Sequence, residues 1–243
     1  MSQYKYFNIE DYRLSMQKDD WYLKILPEIQ LYILNTHDKG NNFTTDIEKK
    51  EFIEKRREFI MLISEFIDEI KNNNDVKNER IFDKERKEID TIVIHHSSMK
   101  SDLKIKFLET LHLLNLYVRE FVNESKYYYG KKIFSGHILN EKQTFIAYHY
   151  IIYPNGDFIQ CLKDEYIGWH CGNWDYNCRS IAICFYADLE NSSPTESAIA
   201  TANQIIKKYN PKNLLGHREI KPTTSCPGNK FLGSDGWKQK LIY

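Results

Sequence analysis

Two kinds of soft or borderline metal donor, imidazole and thiol, sit in this sequence where a sheet could bring them together. His95 and His96 close the apolar run Thr91-Ile-Val-Ile94. His217 follows the run Lys212–Leu215, and Cys226 lies nine residues beyond it, inside Pro222-Thr-Thr-Ser-Cys-Pro-Gly228. Two imidazoles and a thiolate form a good zinc set, and a site with only three protein donors keeps a fourth position for water, the mark of a hydrolytic centre rather than a structural one. Each fragment also has a plainer reading. A His-His pair can serve structure or surface, and a lone buried cysteine behaves as a small hydrophobe. Neither Cys-x-x-Cys nor His-Glu-x-x-His occurs, which sets aside the zinc ribbon and the helical metalloprotease.

The elements that must position these groups follow from periodicity. Thr91–Ile94 predicts a short buried strand, Ile105–Val122 an amphipathic helix, and Ser180–Phe185 a further strand. Phe145–Tyr153 and Asp157–Cys161 flank Pro154-Asn-Gly156, and Asn-Gly between apolar runs marks a hairpin tip. Thr195–Tyr209 predicts a helix and Lys212–Leu215 a final strand. Strands alternating with helices imply an α/β domain over residues 89–243, with a mixed central sheet flanked by helices.

The first 88 residues read differently, as a small all-helical region. Thr45-Asp-Ile-Glu48 has the form of a capping box. Phe52, Phe59, Ile60, Ile63, Phe66, Ile67 and Ile70 then recur at three- and four-residue steps, one apolar stripe along a helix. The segment Trp21–Leu34 is apolar but interrupted by Pro27; His37–Asn42 reads as a loop, and the charged stretch from Asn72 to Glu88 as helix end and linker.

Composition narrows the partners. With 34 basic and 34 acidic residues the formal net charge is zero, so no basic excess is available to neutralise nucleic acid. No apolar run approaches the roughly 20 residues that span a bilayer. The polar start Met1–Asp11 has no leader-like apolar region, so cytoplasmic synthesis is expected, with any wall-facing role requiring another exit route. Five cysteines, at 161, 171, 178, 184 and 226, are an odd number that argues against a disulfide framework, although Cys171 and Cys178 could pair within one loop.

Taken in order, Ile92-Val-Ile-His-His-Ser97, Ala147-Tyr-His-Tyr-Ile-Ile152, Ser180-Ile-Ala-Ile-Cys184 and Gly216-His-Arg-Glu219 with Cys226-Pro-Gly228 resemble the N-acetylmuramoyl-L-alanine amidases. That family includes amidase-type phage lysozymes and the peptidoglycan recognition proteins. The loop Gly168-Trp-His-Cys-Gly-Asn-Trp-Asp-Tyr-Asn177 is similar to the family's His-containing loop. The resemblance covers residues 89–243 and leaves the first 88 unexplained. It implies a peptidoglycan hydrolase with Zn2+ as cofactor and peptidoglycan or a muropeptide as substrate. His95, His217 and Cys226 would be the ligands, with His96 turned to the opposite face. Tyr148 would be the active-site tyrosine, its neighbour His149 facing away, and Thr223 or Thr224 the polar group shortly before the cysteine ligand. Trp169, His170, Trp174 and Tyr176 would line the groove for the stem peptide, or else pack a long loop. Two departures stand out: the interval from His217 to Cys226 is one residue longer than usual, and Ala182 replaces a common glycine. Cys184 stands where the muropeptide-recycling amidases have a glutamate, and Cys226 where they have an aspartate, which points to the phage-lysozyme-like branch. The competing expectation is a non-catalytic peptidoglycan-binding module, whose members lack the cysteine ligand.

Overall fold

The computed structural model describes residues 9–18, 21–38, 45–72, 82–99, 104–118 and 133–242, with the backbone alone for 31–38. The expected loop beyond residue 38, most of the stretch after Asn72 and the end of the helix expected to reach Val122 lie outside these residues. The backbone divides into two compact units, one of residues 1–78 with 105–145, the other of residues 79–104 with 146–243. The division expected from sequence falls after residue 88 and so places residues 105–145 with the sheet.

In the first unit, α1 (Ile9–Ser15), α2 (Tyr22–Asp38) and α3 (Asp46–Lys71) come from the N-terminal region. The hydroxyl of Thr45 accepts the Glu48 N–H at 3.2 Å, as an N-cap does. The stripe on α3 turns inward, burying Phe59, Ile60, Ile63, Ile67 and Ile70. Helix α2 runs straight through Pro27 instead of stopping there. An interior proline costs roughly 3 kcal/mol, but Leu26 and Ile29 are almost wholly buried beside it, and each such side chain contributes about 1.5–3 kcal/mol. The same core is completed from residues 105–145. After α4 (Ile105–His112) the chain widens into a π-helical turn, Leu113–Val118, and Leu113, Leu114, Tyr117 and Phe145 pack with Tyr12, Trp21 and Phe59 in one cluster. Lys71 pairs with Glu109 at 2.7 Å, and the other oxygen of that carboxylate accepts the Phe145 N–H at 3.0 Å. Gln143, in the small hairpin of β2 (Ile138–Leu139) and β3 (Lys142–Gln143), donates to the carbonyl of Ile70 at 3.1 Å.

The second unit is built on a five-stranded sheet. In chain order its strands are β1 (Thr91–His96), β4 (Tyr150–Ile152), β5 (Phe158–Gln160), β6 (Ser180–Phe185) and β7 (Asn213–Gly216). Their spatial order is β5-β4-β6-β1-β7. β1 runs parallel to β6 and β7, β4 runs parallel to β6, and only β5 is antiparallel to its neighbour. Every residue of β1 and β6 is buried, as expected for parallel strands covered on both faces. One face carries Ile92, Ile94, Tyr150, Ile152, Ile181, Ile183 and Phe185, packed with Ala198, Ile199, Ala202 and Ile206 of α6 (Glu196–Tyr209) and with Trp237. Strand alternation sends Val93, His95, Ala182 and Cys184 to the other face. Between β5 and β6 lies the short helix α5 (Trp174–Arg179), and α7 (His217–Ile220) follows β7 directly. This is the mixed, helix-flanked sheet that the sequence implied.

Candidate metal centre

His95 is fifth in β1, on the face away from α6 and wholly buried. Its neighbour His96 takes the opposite side. There Nδ1 accepts the Leu189 N–H at 2.9 Å and Nε2 meets the Ser98 hydroxyl at 3.0 Å, so His96 ties down the chain after β6. His217 begins α7 at the end of β7. That short helix is pinned because Glu219 accepts the Gly216 N–H at 2.7 Å and is itself paired with Lys238 at 2.8 Å.

Cys226 arrives on a loop folded back over the strand ends. Its carbonyl accepts the Arg218 N–H at 2.8 Å, and Ser225 donates to Glu190 at 2.8 Å. Gly228 has φ 118, and a Cβ there would fall 2.0 Å from the Leu189 carbonyl oxygen. Only glycine lets the loop lie this close. The result is convergence: one donor atom from each of His95, His217 and Cys226 lies within 4.8 Å of the others. Cys226 Sγ is 3.7 Å from His95 Nδ1.

The donor chemistry fits a metal. His217 Nε2 lies 3.2 Å from the Cys171 carbonyl oxygen. A carbonyl only accepts, so Nε2 carries the proton and Nδ1 presents its lone pair. Burial lowers the pKa of His217, partly offset by that bond, so the ring is a neutral donor. Burial pushes the Cys226 thiol up to about 12. A cation held there would have to displace that proton, as thiolate ligation requires.

Tyr148 packs its ring 4.9 Å from that of His95. Its pKa is raised well above the usual phenol, chiefly by burial and then by the nearby Cys184 and Cys226. It lies just before β4, which is shorter than the strand expected from Phe145. The reason is an irregularity at His149, whose carbonyl accepts from both Cys161 N–H and Leu162 N–H, at 2.8 and 3.4 Å. The His149 ring is buried and accepts the Ala182 N–H at 3.1 Å. Of the two threonines, Thr223 is exposed and Thr224 half-buried. Thr224 accepts the Cys226 N–H at 3.2 Å.

The loop expected to line the groove divides. His170 is buried, not on the groove surface, because its ring lies under His95 with Nδ1 2.9 Å from His95 Nε2. Trp169 and Trp174 form an edge-to-face triad with Phe82, with centroids 5.2, 5.7 and 6.2 Å apart, and the Trp174 indole donates to Glu85 at 2.6 Å. Trp174 keeps 37% of its surface exposed. The supports in residues 82–88 have no signature in the sequence. The Asp83 carboxylate accepts the Ile167 N–H at 2.7 Å. Arg86 spans the carbonyls of Asp164, Asn177, Cys178 and Ser180 at 2.9–3.3 Å. A charged stretch gives no sign of such a role. No disulfide forms: all five cysteines are free and buried.

The family model described as N-acetylmuramoyl-L-alanine amidase matches residues 85–229. The chain belongs to that family, and its reaction class is therefore peptidoglycan amide hydrolysis. Among solved structures, it is similar to the endolysin N-acetylmuramoyl-L-alanine amidase LysCS from Clostridium intestinale URNW, at 19% identity over 58% of this chain and 76% of that one, TM-score 0.41. The endolysin of Thermus scotoductus bacteriophage Ph2119 matches at 18% identity over 65% and 87%, TM-score 0.44. Drosophila peptidoglycan recognition protein SD matches at 19% over 70% and 95%, TM-score 0.41. No curated protein matches the chain.

Proposed function

We propose that the chain is a zinc-dependent amidase that cleaves the bond between the lactyl group of N-acetylmuramic acid and the L-alanine of the stem peptide, on peptidoglycan or on soluble muropeptides. The observation that carries this reading is the approach of Cys226 Sγ to His95 Nδ1 at 3.7 Å, with His217 completing the set. Zn2+ held by these three would lower the pKa of bound water to about 7 and polarise the scissile carbonyl. The remaining work falls to the chain's own groups. The Tyr148 phenol, its pKa raised by burial, can donate a hydrogen bond to charge developing on the carbonyl oxygen. Of the two threonines we favour Thr224. Accepting the Cys226 N–H fixes its side chain and leaves the hydroxyl hydrogen for substrate or leaving group. Trp174, partly exposed, and Trp169 offer an apolar wall for the stem peptide.

A non-catalytic binding module would need no thiolate ligand, and the cysteine makes that reading the weaker one. Because the substrate is wall material, the proposal requires that the chain reach the wall. Among the described residues no helix is long and apolar enough to cross a membrane. Zinc content and amide hydrolysis of Cys226→Ser test the reading: both should fall together while the metal-free proteins melt at similar temperatures. Full zinc occupancy with full activity would sink the ligand assignment.

A further inference from the structure

The ring nitrogens behind His95 form a chain whose proton positions are forced from one end. The Tyr176 carbonyl can only accept, and the Ser180 hydroxyl lies 2.6 Å from it, so Ser180 spends its single hydrogen there. Towards His170 Nε2, 3.1 Å away, Ser180 therefore offers a lone pair, and Nε2 carries the proton. His170 Nδ1 is then the acceptor. Its neighbour at 2.9 Å, His95 Nε2, must be the donor. That leaves the lone pair of His95 on Nδ1, the atom facing Cys226 Sγ. In free histidine the Nδ1–H and Nε2–H tautomers both occur, and only one can ligate through Nδ1.

We propose that His170 is a positioning residue for the metal centre, holding the His95 ring in the single tautomer and orientation in which Nδ1 binds a divalent metal. The inference rests on the zinc reading above. The next residue along does the same for the second imidazole, since the Cys171 carbonyl accepts from His217 Nε2 at 3.2 Å. Two consecutive residues thus orient both histidine ligands. Asn177 locks the pair in place, its side-chain oxygen accepting the His170 N–H at 3.3 Å and the Cys171 N–H at 3.1 Å. The chain approaches this closely because Gly168 has no side chain; a Cβ there would sit 2.4 Å from the Ala147 carbonyl oxygen and 3.2 Å from the His170 ring. His170 is buried beneath His95 and does not line the groove, so it is not a substrate group.

The test uses the full-length chain, stripped of metal, and zinc titrated against a chromophoric chelator. His170→Leu should weaken zinc binding by roughly 10–100-fold, the usual loss when a ligand's hydrogen-bond partner is removed. His170→Asn should restore most of it, since its side-chain oxygen accepts the same proton. Histidine nitrogen NMR of the metal-free wild type, which needs no variant to fold, should show His95 and His170 both protonated at Nε2. A His95 ring protonated at Nδ1, or a folded His170→Leu that binds zinc like the wild type, would overturn the role. So would an Asn variant no better than Leu. The two readings fail separately. If wild type binds zinc no more tightly than Cys226→Ser, the metal reading falls; if wild type binds well and His170→Leu binds equally, only the role of His170 falls.

Discussion

Cys226 Sγ stands 3.7 Å from His95 Nδ1 across 131 residues of sequence. The approach depends on two independent supports, one holding the imidazole from below and one folding the cysteine loop over it. Because neither is part of the apolar core around α6, the site can be altered without dismantling the sheet, and its groups can be tested one at a time.

Tyr148 separates catalysis from metal binding. Tyr148→Phe keeps the ring against His95 and removes only the hydroxyl. Zinc content should be unchanged, and kcat on a defined muramyl peptide should fall by roughly 10²–10³, as for loss of an oxyanion donor. KM should move far less, because the bond strengthens in the transition state. A Phe variant turning over at the wild-type rate would leave Tyr148 a packing residue.

Arg86 should prove a structural keystone of the catalytic unit. Its guanidinium donates to the backbone carbonyls of Asp164, Asn177, Cys178 and Ser180, tying two stretches of chain together. Arg86→Ala leaves those acceptors inadequately satisfied and should cost about 3 kcal/mol, measured by chemical denaturation. For the same reason a chain beginning at Lys87 should melt well below one beginning at Glu79. Both should bind a hydrophobic dye, because each uncovers Leu113, Leu114 and Tyr117 by removing their partners in α1–α3. Equal melting of the two truncated chains would show that Phe82–Arg86 contributes nothing to the fold.

His112 sets an acid limit on the helical unit. It is buried, and desolvation lowers its pKa from 6.5 to about 4. The unfolded chain takes up a proton near pH 6.5 and the folded chain only near 4, so protons favour unfolding across that window. Stability should be complete above about pH 6.5, decline as pH falls, and level off below about 4, with a total loss of about 3 kcal/mol from this group. His112→Leu should flatten that part of the denaturation profile. A profile with the same slope in the variant would assign the acid sensitivity elsewhere.

How much of this is legible in the chain divides along physical lines. Ile181–Phe185 is apolar throughout and follows the polar pair Arg179-Ser180, so β6 has the expected limits. Thr195 caps α6 through its hydroxyl on the Ala198 N–H at 3.2 Å, as its residue type suggests. Periodicity reports which side of an element is apolar, not what covers it. That is why Ile105–Val122, amphipathic in sequence, is expected with the sheet although Leu113, Leu114 and Tyr117 complete the N-terminal core. Direction is equally hidden in the loop Gly168–Asn177. Nothing in Trp-His-Cys distinguishes a ring aimed into a groove from one turned under a ligand; the fold decides it, with Asn177 holding the His170 N–H and the ring meeting His95. Arg86 is invisible for a simpler reason: in a run of alternating charges, a residue that binds carbonyls looks like one that binds water.

Hydrolysis at one bond, by a metal held on His95, His217 and Cys226, is most directly tested by mass spectrometry of purified peptidoglycan digested with the zinc-loaded chain. Cys226→Ser is treated alongside. The wild type should release stem peptides with free L-alanine amino termini and leave glycan strands carrying intact lactyl carboxylates, while the variant releases neither. Products cut within the glycan or the peptide, or the same amidase products from the metal-free Cys226→Ser chain, would contradict it.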